Sequence, residues 1–336
     1  MGIPTYEDKV LQKSLVMLLE PIYEEDFHEF SWGFRPGKGQ HGALKMLREH
    51  MSRLESCWVL DLDIKGYFDN IEHAHLRAFL DSRVKDGVVR RMIDKWLKAG
   101  ILDKGVLRKS DKGAPQGGVI SPLLSNVYLH EVLDEWFVQV AKPRLSGKAE
   151  MVRFADDAVL VFERERDARR VLKAVKGRMN RYGLELHPEK TRLVNFRKPN
   201  RPKGQAESKP ETFDFLGFTF YWGKSRKGRS VVKMKTGKKT FRKKVKEMGE
   251  WCKENRHQKI RDQHQKLGLK LKGHYGYYGV TGNYRMVEKF YEATKRSWKY
   301  WLSRRSQRRH MPWEMFVAKL KENPLPQPWL PLSVYR

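Results

Sequence analysis

Apolar residues along this chain fall into two rhythms. Short runs rich in Val, Leu and Phe at 57–64, 151–162, 191–196 and 213–221 predict strands. Between and after them, apolar residues recur at helical spacing. Thr5 with Asp8 three residues on reads as a capping box opening a helix through about Glu20, which Pro21 ends. Ser121-Pro122 predicts a helix start, with Ser121 as hydroxyl cap and Pro at the first helical position. Leu124, Val127, Tyr128, Trp136, Phe137 and Val140 then form its core-facing side, and Asp167 to Tyr182 reads as a further helix. Residues 198–210, rich in Pro, Lys and Gly, read as an exposed loop, and Gly33 to Gly42 as a Gly-rich basic loop where backbone can approach a phosphate. Strands interleaved with helices give an α+β fold.

Carboxylates interrupt two of the apolar runs. Phe154-Ala155-Asp156-Asp157 sits between Met151-Val152-Arg153 and Ala158-Val159-Leu160-Val161-Phe162, so a tight hairpin turn presents both acids at the edge of a sheet. Upstream, Asp61 and Asp63 share one face of the strand that begins near Trp58, because strand side chains repeat every two residues. Paired negative charge beside a sheet is costly without a cation. Hard carboxylates at a rigid turn suit Mg²⁺. Two such strands can hold two metal ions about 4 Å apart, the arrangement for in-line phosphoryl or nucleotidyl transfer. A polar hairpin turn is the plain alternative for Asp156-Asp157, and strand-end structure the plain role for Asp61 and Asp69.

These residues resemble a known family. Asp63 with Phe68 five residues on, Ala114-Pro115-Gln116-Gly117-Gly118, and Phe154-Ala155-Asp156-Asp157 are similar, in order, to the palm of reverse transcriptases. Gly2-Ile3-Pro4-Thr5, Gly33-Phe34-Arg35-Pro36-Gly37, Gln116 to Asn126 (QGGVISPLLSN), Leu186-His187-Pro188-Glu189-Lys190-Thr191 and Phe215-Leu216-Gly217-Phe218 together resemble a bacterial group II intron reverse transcriptase/maturase. The resemblance implies a right-hand polymerase: partial fingers over 1–56, a palm over 57–222, and an all-α thumb and maturase domain over 223–336. It implies Asp63, Asp156 and Asp157 as catalytic acids and metal ligands, with the Ile64 carbonyl as a further ligand for two Mg²⁺ ions. Phe68 matches the gate that crowds a ribose 2′-hydroxyl. Gln116 matches the residue that touches the incoming nucleotide, Arg35 faces nucleotide or template, and Lys190 protonates the departing pyrophosphate. Implied partners are intron RNA, an RNA template, a DNA primer and deoxynucleoside triphosphates. Two rivals remain open at this point: an RNA-binding maturase or remnant that does not polymerise, and a two-metal nuclease, which needs no Gln116, Phe68 or Lys190. The family carries a fingers segment ahead of the position of Gly2, so a truncated frame, a split enzyme and reduced fingers are all compatible with Met1 standing there. No Cys- and His-rich endonuclease appendage follows Trp313.

Composition agrees independently. Sixty-nine Lys and Arg against 40 Asp and Glu give a net charge of +29, which points to a polyanionic partner. Gly223 to Lys246 holds 12 basic residues and no acidic one, and Lys238, Lys239, Arg242, Lys243, Lys244 and Lys246 are candidates for phosphate contact. Lys272-Gly273-His274-Tyr275-Gly276-Tyr277-Tyr278-Gly279 and Trp298-x-x-Trp301, followed by Arg304, Arg305, Arg308 and Arg309, resemble the maturase domain's aromatic motif and closing helix. Interleaved aromatics and bases suit RNA, although Phe290, Trp298 and Trp301 read as helix core. No apolar run reaches the roughly 18 residues of a membrane span, no secretory signal opens the chain, and Cys57 and Cys252 alone support neither a disulfide framework nor a cysteine zinc site. The expectation is a cytoplasmic protein.

Overall fold

Thr5 caps the first helix as its spacing predicts: the Asp8 amide donates to Thr5 Oγ1 at 3.3 Å, opening α1 (Tyr6–Glu24). The structure is a computed structural model that describes residues 4–54, 57–99, 101–103, 106–108, 112–114, 117–199, 210–306 and 311–333. Pro21 lies inside α1 and does not end it. Proline removes one helical hydrogen bond, but the turn that loses it is open to solvent, with Met17 and Leu18 exposed. α2 (Gln40–Arg53) buries Ala43, Leu44, Leu47 and Met51. There follow β1 (Trp58–Leu62), a 3₁₀ turn at Tyr67–Asp69, α3 (His73–Arg83), and α4 (Gly87–Lys98), capped by Asp86.

A small hairpin, β2 (Ile101–Asp103) and β3 (Val106–Arg108), leads to α5 (Ser121–Leu129). Ser121, expected as the cap, already lies in the first turn, and Ile120 holds the cap position. The helix continues beyond Leu129 through wider π-type turns at His130–Asp134 and Trp136–Ala141. Leu124, Val127, Tyr128, Trp136 and Phe137 are buried as expected, but Val140 is exposed. The wide turns advance the apolar stripe by fewer degrees per residue and carry it out of phase. β4 (Ala149–Phe154), β5 (Asp157–Phe162), α6 (Glu165–Arg181) and β6 (Arg192–Asn195) complete the first of two compact units, Met1–Glu211. Its sheet has the order β4-β5-β1-β6, with every pairing antiparallel. Leu60, Leu62, Ala158, Leu160 and Phe162 join the same core as Leu76, Leu124, Val127 and Val171 from the helices.

Within that unit lies a fully buried ion pair. Arg153 of β4 donates to Asp134 through Nε (2.8 Å) and Nη2 (2.5 Å). Its remaining donors go to Asn126 Oδ1 (3.0 Å), Ser31 Oγ (2.8 Å) and the Ala155 carbonyl (3.0 Å). Main-chain bonds from Arg153 to Phe30 and Trp32 lay residues 30–32 along β4.

The second unit, Thr212–Arg336, opens with β7 (Phe213–Phe215), β8 (Phe218–Lys224) and β9 (Ser230–Thr236). The run at 213–221, expected to join the other strands, builds this separate three-stranded sheet. Its first hairpin turns on Leu216 and Gly217, both at positive φ, as a two-residue turn between right-twisted strands requires. β9 also departs from an all-α segment after Gly223. Val232, Met234 and Thr236 are buried while Lys235 is exposed, a period of two that the density of basic residues masks in the sequence. Helices α7 (Lys238–Glu254), α8 (Ile260–Tyr278), α9 (Tyr284–Leu302) and α10 (Trp313–Glu322) follow. Phe290 and Trp298 are core, as expected, with Trp298 Nε1 donating to Gln263; Trp301 is half-buried.

Removing one partner of the Arg153–Asp134 pair strands a charge in the core. Asp134→Asn or Arg153→Met should each destabilise the first unit by about 3–5 kcal/mol, and an apolar replacement of both should recover much of the loss. Urea unfolding followed by circular dichroism checks this; a single variant with an unmoved midpoint would contradict it.

Candidate active site

The sheet register assembles the acids. β1 runs against β5 with Asp61 opposite Val159 and Leu62 opposite Ala158, and against β6 with Asp61 opposite Arg192. Continuing both registers by two residues sets Asp63 between Asp157 on one side and Lys190 on the other. The side chains bear this out: Lys190 Nζ lies 3.1 Å from each carboxylate oxygen of Asp63. One row back, Arg192 Nε stands 3.7 Å from Asp61. The His187 to Thr191 segment is folded onto Asp63, whose carbonyl accepts the His187 amide (2.8 Å) and the Thr191 hydroxyl (3.3 Å).

Ile64 forms an isolated antiparallel bridge with Leu186. The hydrogen bonds of that bridge pass through Asp63 and Lys65, so the Ile64 carbonyl points away from its partner segment, outside the ladder.

Asp156 and Asp157 are presented by a two-residue turn held from several directions. Phe154 pairs with Asp157, and Ala155 takes a φ of 54°, a left-handed conformation costly for a residue with a side chain. Arg153 holds the Ala155 carbonyl from below. Gly33 packs so closely on this turn that a Cβ there would lie 2.2 Å from the Ala155 nitrogen. Asn126, within the QGGVISPLLSN run, donates to the Gly33 carbonyl at 2.7 Å and fixes that approach. The Gly33 loop thus supports the turn with its backbone.

Asp61, Asp156 and Asp157 resist ionisation. Burial pushes the Asp61 carboxyl up to about 7, with Asp157 and Asp63 adding to the effect and Arg192 opposing it. Asp157 is exposed at the turn, yet partial desolvation and the charges of Asp156 and Asp63 push it up to about 6. Asp156 is raised as well, chiefly by burial and then by Asp63. Such an all-oxygen donor set suits a hard divalent cation, and the Lys190 ammonium already supplies a cation to Asp63.

Phe68 sits on the 3₁₀ turn after Gly66 (φ 54°), half-buried and edge-on to Tyr67. Its carbonyl accepts the Ala114 amide at 2.8 Å, and Gly113 (φ 95°) passes so close that a Cβ would meet the Phe68 and Asp69 carbonyls at 3.1 Å. The Ala114 segment is thereby anchored to Phe68; Gln116 itself lies outside the described residues. On the far side of that loop, buried Gln12 of α1 accepts the amides of Val119 (2.7 Å) and Ile120 (3.3 Å). The sequence reading did not single out Gln12, and its only signal was a polar residue on the apolar stripe of α1.

Arg35, read as facing nucleotide or template, is turned inward. Its side chain is 3 % exposed and is committed to Glu24, to the carbonyls of Phe27, His28 and Ser31, and to the Phe27 ring. It braces the loop.

In the second unit, Lys238, Lys239, Arg242, Lys243, Lys244 and Lys246 all fall in the first half of α7. All but the half-buried Lys244 are exposed; Lys244 pairs with Glu247 and Lys246 with Glu250. Cations at a helix N-terminus oppose its dipole, and Gly237 gives no side-chain cap. Beside them, Lys244, Lys270, His274, Tyr277 and Phe290 line a cleft of about 400 Å³. Arg304 stacks on Tyr300 and remains exposed. Arg305 donates instead to the carbonyls of Arg256 and Gln258, closing the loop between α7 and α8. Arg308 and Arg309 lie outside the described residues.

The reverse transcriptase (RNA-dependent DNA polymerase) family model matches residues 1–220, about two thirds of the chain. The chain belongs to this family. An intron-encoded protein and an intron maturase are among the relatives of this reverse transcriptase. It is 43 % identical over 140 residues to the group II intron-encoded protein LtrA of Lactococcus lactis subsp. cremoris, covering 42 % of the chain and 23 % of LtrA. It is 39 % identical over 158 residues to protein YkfC of Escherichia coli, covering 46 % and 40 %, and 28 % identical over 137 residues to the nuclear intron maturase 4, mitochondrial, of Arabidopsis thaliana, covering 40 % and 17 %. The chain therefore spans less than half the length of these relatives. The structure of apo telomerase from Candida tropicalis shares the fold at 12 % identity, with a TM-score of 0.52 over 89 % of this chain and 55 % of that one. No described helix is long and apolar enough to cross a membrane.

Because folded Asp61 and Asp157 hold protons that the unfolded chain releases near pH 4, the unfolded state deprotonates first as pH rises. The metal-free fold should lose stability between about pH 4 and about pH 7 from these groups. Asp157→Asn, free of that charge, should melt a few degrees higher than wild type near neutral pH and show a flatter pH dependence. Thermal melts across pH test this; a lower melting temperature for Asp157→Asn would contradict it.

Proposed function

We propose that this reverse transcriptase performs RNA-templated DNA synthesis from deoxynucleoside triphosphates on a DNA primer, and that its C-terminal unit binds intron RNA to assist splicing. The observation that carries the reading is the row Asp157–Asp63–Lys190 at the ends of three adjacent strands, with Asp156 in the turn beside it. Asp63, Asp156, Asp157 and the Ile64 carbonyl are the groups that would hold two Mg²⁺ ions. When bound, these ions lower the charge on the triphosphate and favour the 3′-hydroxyl as nucleophile. Phe68 crowds the sugar C2′, Gln116 contacts the incoming nucleotide, and Lys190 supplies a proton to the departing pyrophosphate. Residues 1–211 act as fingers and palm, and the sheet and helices after Thr212 as thumb and maturase surface.

Asp63→Asn and Asp156→Asn should each reduce primer extension by at least about a hundredfold while leaving RNA affinity nearly unchanged. Primer-extension kinetics beside filter-binding measurements read the two separately. Retention of most activity in Asp156→Asn would overturn the palm assignment, and an inactive wild type that still binds intron RNA would favour a non-polymerising maturase.

If α7 meets phosphates, log affinity for RNA should fall linearly with log salt, by about 0.7–0.9 for each contact. The triple change of Lys239, Arg242 and Lys243 to Gln should flatten that slope by up to roughly 2–3 and weaken unrelated RNAs about equally. Weaker binding with an unaltered slope would show that these cations act through structure.

A further inference from the structure

We propose that His28, His130 and Glu135 form a binding site for a borderline divalent transition metal, zinc foremost, separate from the palm acids. Among the described residues these three make the group whose ligand atoms all lie within 4.8 Å of one another. His28 lies in the loop after α1, His130 opens the first wide turn beyond α5, and Glu135 sits between the two wide turns.

The helix geometry is what brings the pair on it together. Residues five apart on an α-helix point about 140° away from each other, whereas on a π-type turn they diverge by only about 50°. The wide turns therefore place His130 and Glu135 on one face, toward His28. π-type turns of this kind recur at functional sites.

The distances point to a missing shared partner. His28 Nε2 stands 2.6 Å from Glu135 Oε1, and His130 Nε2 stands 3.8 Å from the same oxygen, too far for a hydrogen bond. Two ligands of a tetrahedral metal with bonds near 2.0–2.1 Å stand about 3.3 Å apart, between these two values. Small rotations of the half-exposed Glu135 and His28 side chains reach that spacing. His130 is 6 % exposed and has no hydrogen-bond partner at Nδ1. Its Nε2 is the ring nitrogen that faces Glu135, so that nitrogen is placed to ligate while Nδ1 stays packed in the core.

Two imidazoles and one carboxylate select Zn²⁺, Co²⁺ or Ni²⁺ over Mg²⁺. The side chains of His28 and Glu135 are 25 % and 34 % exposed, which leaves an entry path and room for a solvent ligand. The site would clamp the His28 loop, whose next residues run along β4 behind the catalytic turn, onto the long helix. It does not depend on the polymerase reading.

The test is metal binding by the full chain stripped with chelator, titrated with ZnCl₂ and, separately, with CoCl₂. Wild type should retain one equivalent of zinc after dialysis and give the intense visible absorption of four-coordinate Co²⁺. His28→Ala, which removes a half-exposed loop side chain, and Glu135→Gln should each weaken zinc binding by at least about tenfold, with unchanged circular dichroism. Asp63→Asn should bind zinc as wild type does. Absence of a zinc equivalent in wild type, or undiminished binding in either His28→Ala or Glu135→Gln, would overturn the proposal.

Discussion

The buried pair of Arg153 and Asp134 is the constraint on which the catalytic end of the first unit depends. Two charges withdrawn from water are tolerable only when every donor and lone pair is occupied. Arg153 meets that condition by reaching three elements at once: the long helix through Asp134 and Asn126, the Ser31 segment, and the turn that follows its own strand. Because Arg153 lies two residues before Ala155, satisfying its guanidinium also fixes where the turn can go. The left-handed backbone at Ala155 and the close approach of Gly33 are stable in that frame alone.

The two sites share an electrostatic logic of opposite sign. Around Asp61, Asp63, Asp156 and Asp157 the fold gathers negative charge that it neutralises only in part, through Lys190 and Arg192. In α7 it gathers positive charge at the helix end where the backbone dipole least tolerates it. Each arrangement is unfavourable in isolation and improves on meeting its complement, cations for the acids and a polyanion for the helix. Both are local costs to stability that a bound partner of opposite charge would offset.

Sequence made the acids legible because period-two spacing and a two-residue turn are local facts. Their assembly was less so: Asp63 meets Lys190 through a register between strands far apart in the chain, which only the paired sheet shows. Direction was harder still. Nothing local distinguishes the inward Arg35 from an outward one, since its partners Glu24 and the Phe27, His28 and Ser31 carbonyls form a surface only after α1 and the loop fold together. Arg305 misled in the same way, sitting in a basic run yet bonded to two carbonyls of a preceding loop. The run at 213–221 was visible as strand, but not the hairpin within it or the sheet it would join, and β9 was hidden by its basic residues. Val140 was misplaced because helical periodicity assumes a constant turn, and this helix widens.

The position of β1 has a consequence for synthesis of the chain. It is an interior strand of the finished sheet, but its neighbours begin only at Asp157 and Arg192, so it emerges long before either exists. Until then its Val59-Leu60-Asp61-Leu62 backbone is unpaired on both edges, the kind of apolar template that recruits strands from other chains. The aspartates at 61 and 63 place like charges opposite one another when identical copies stack parallel and in register. They protect the nascent strand from self-association before they take up any role in the folded protein.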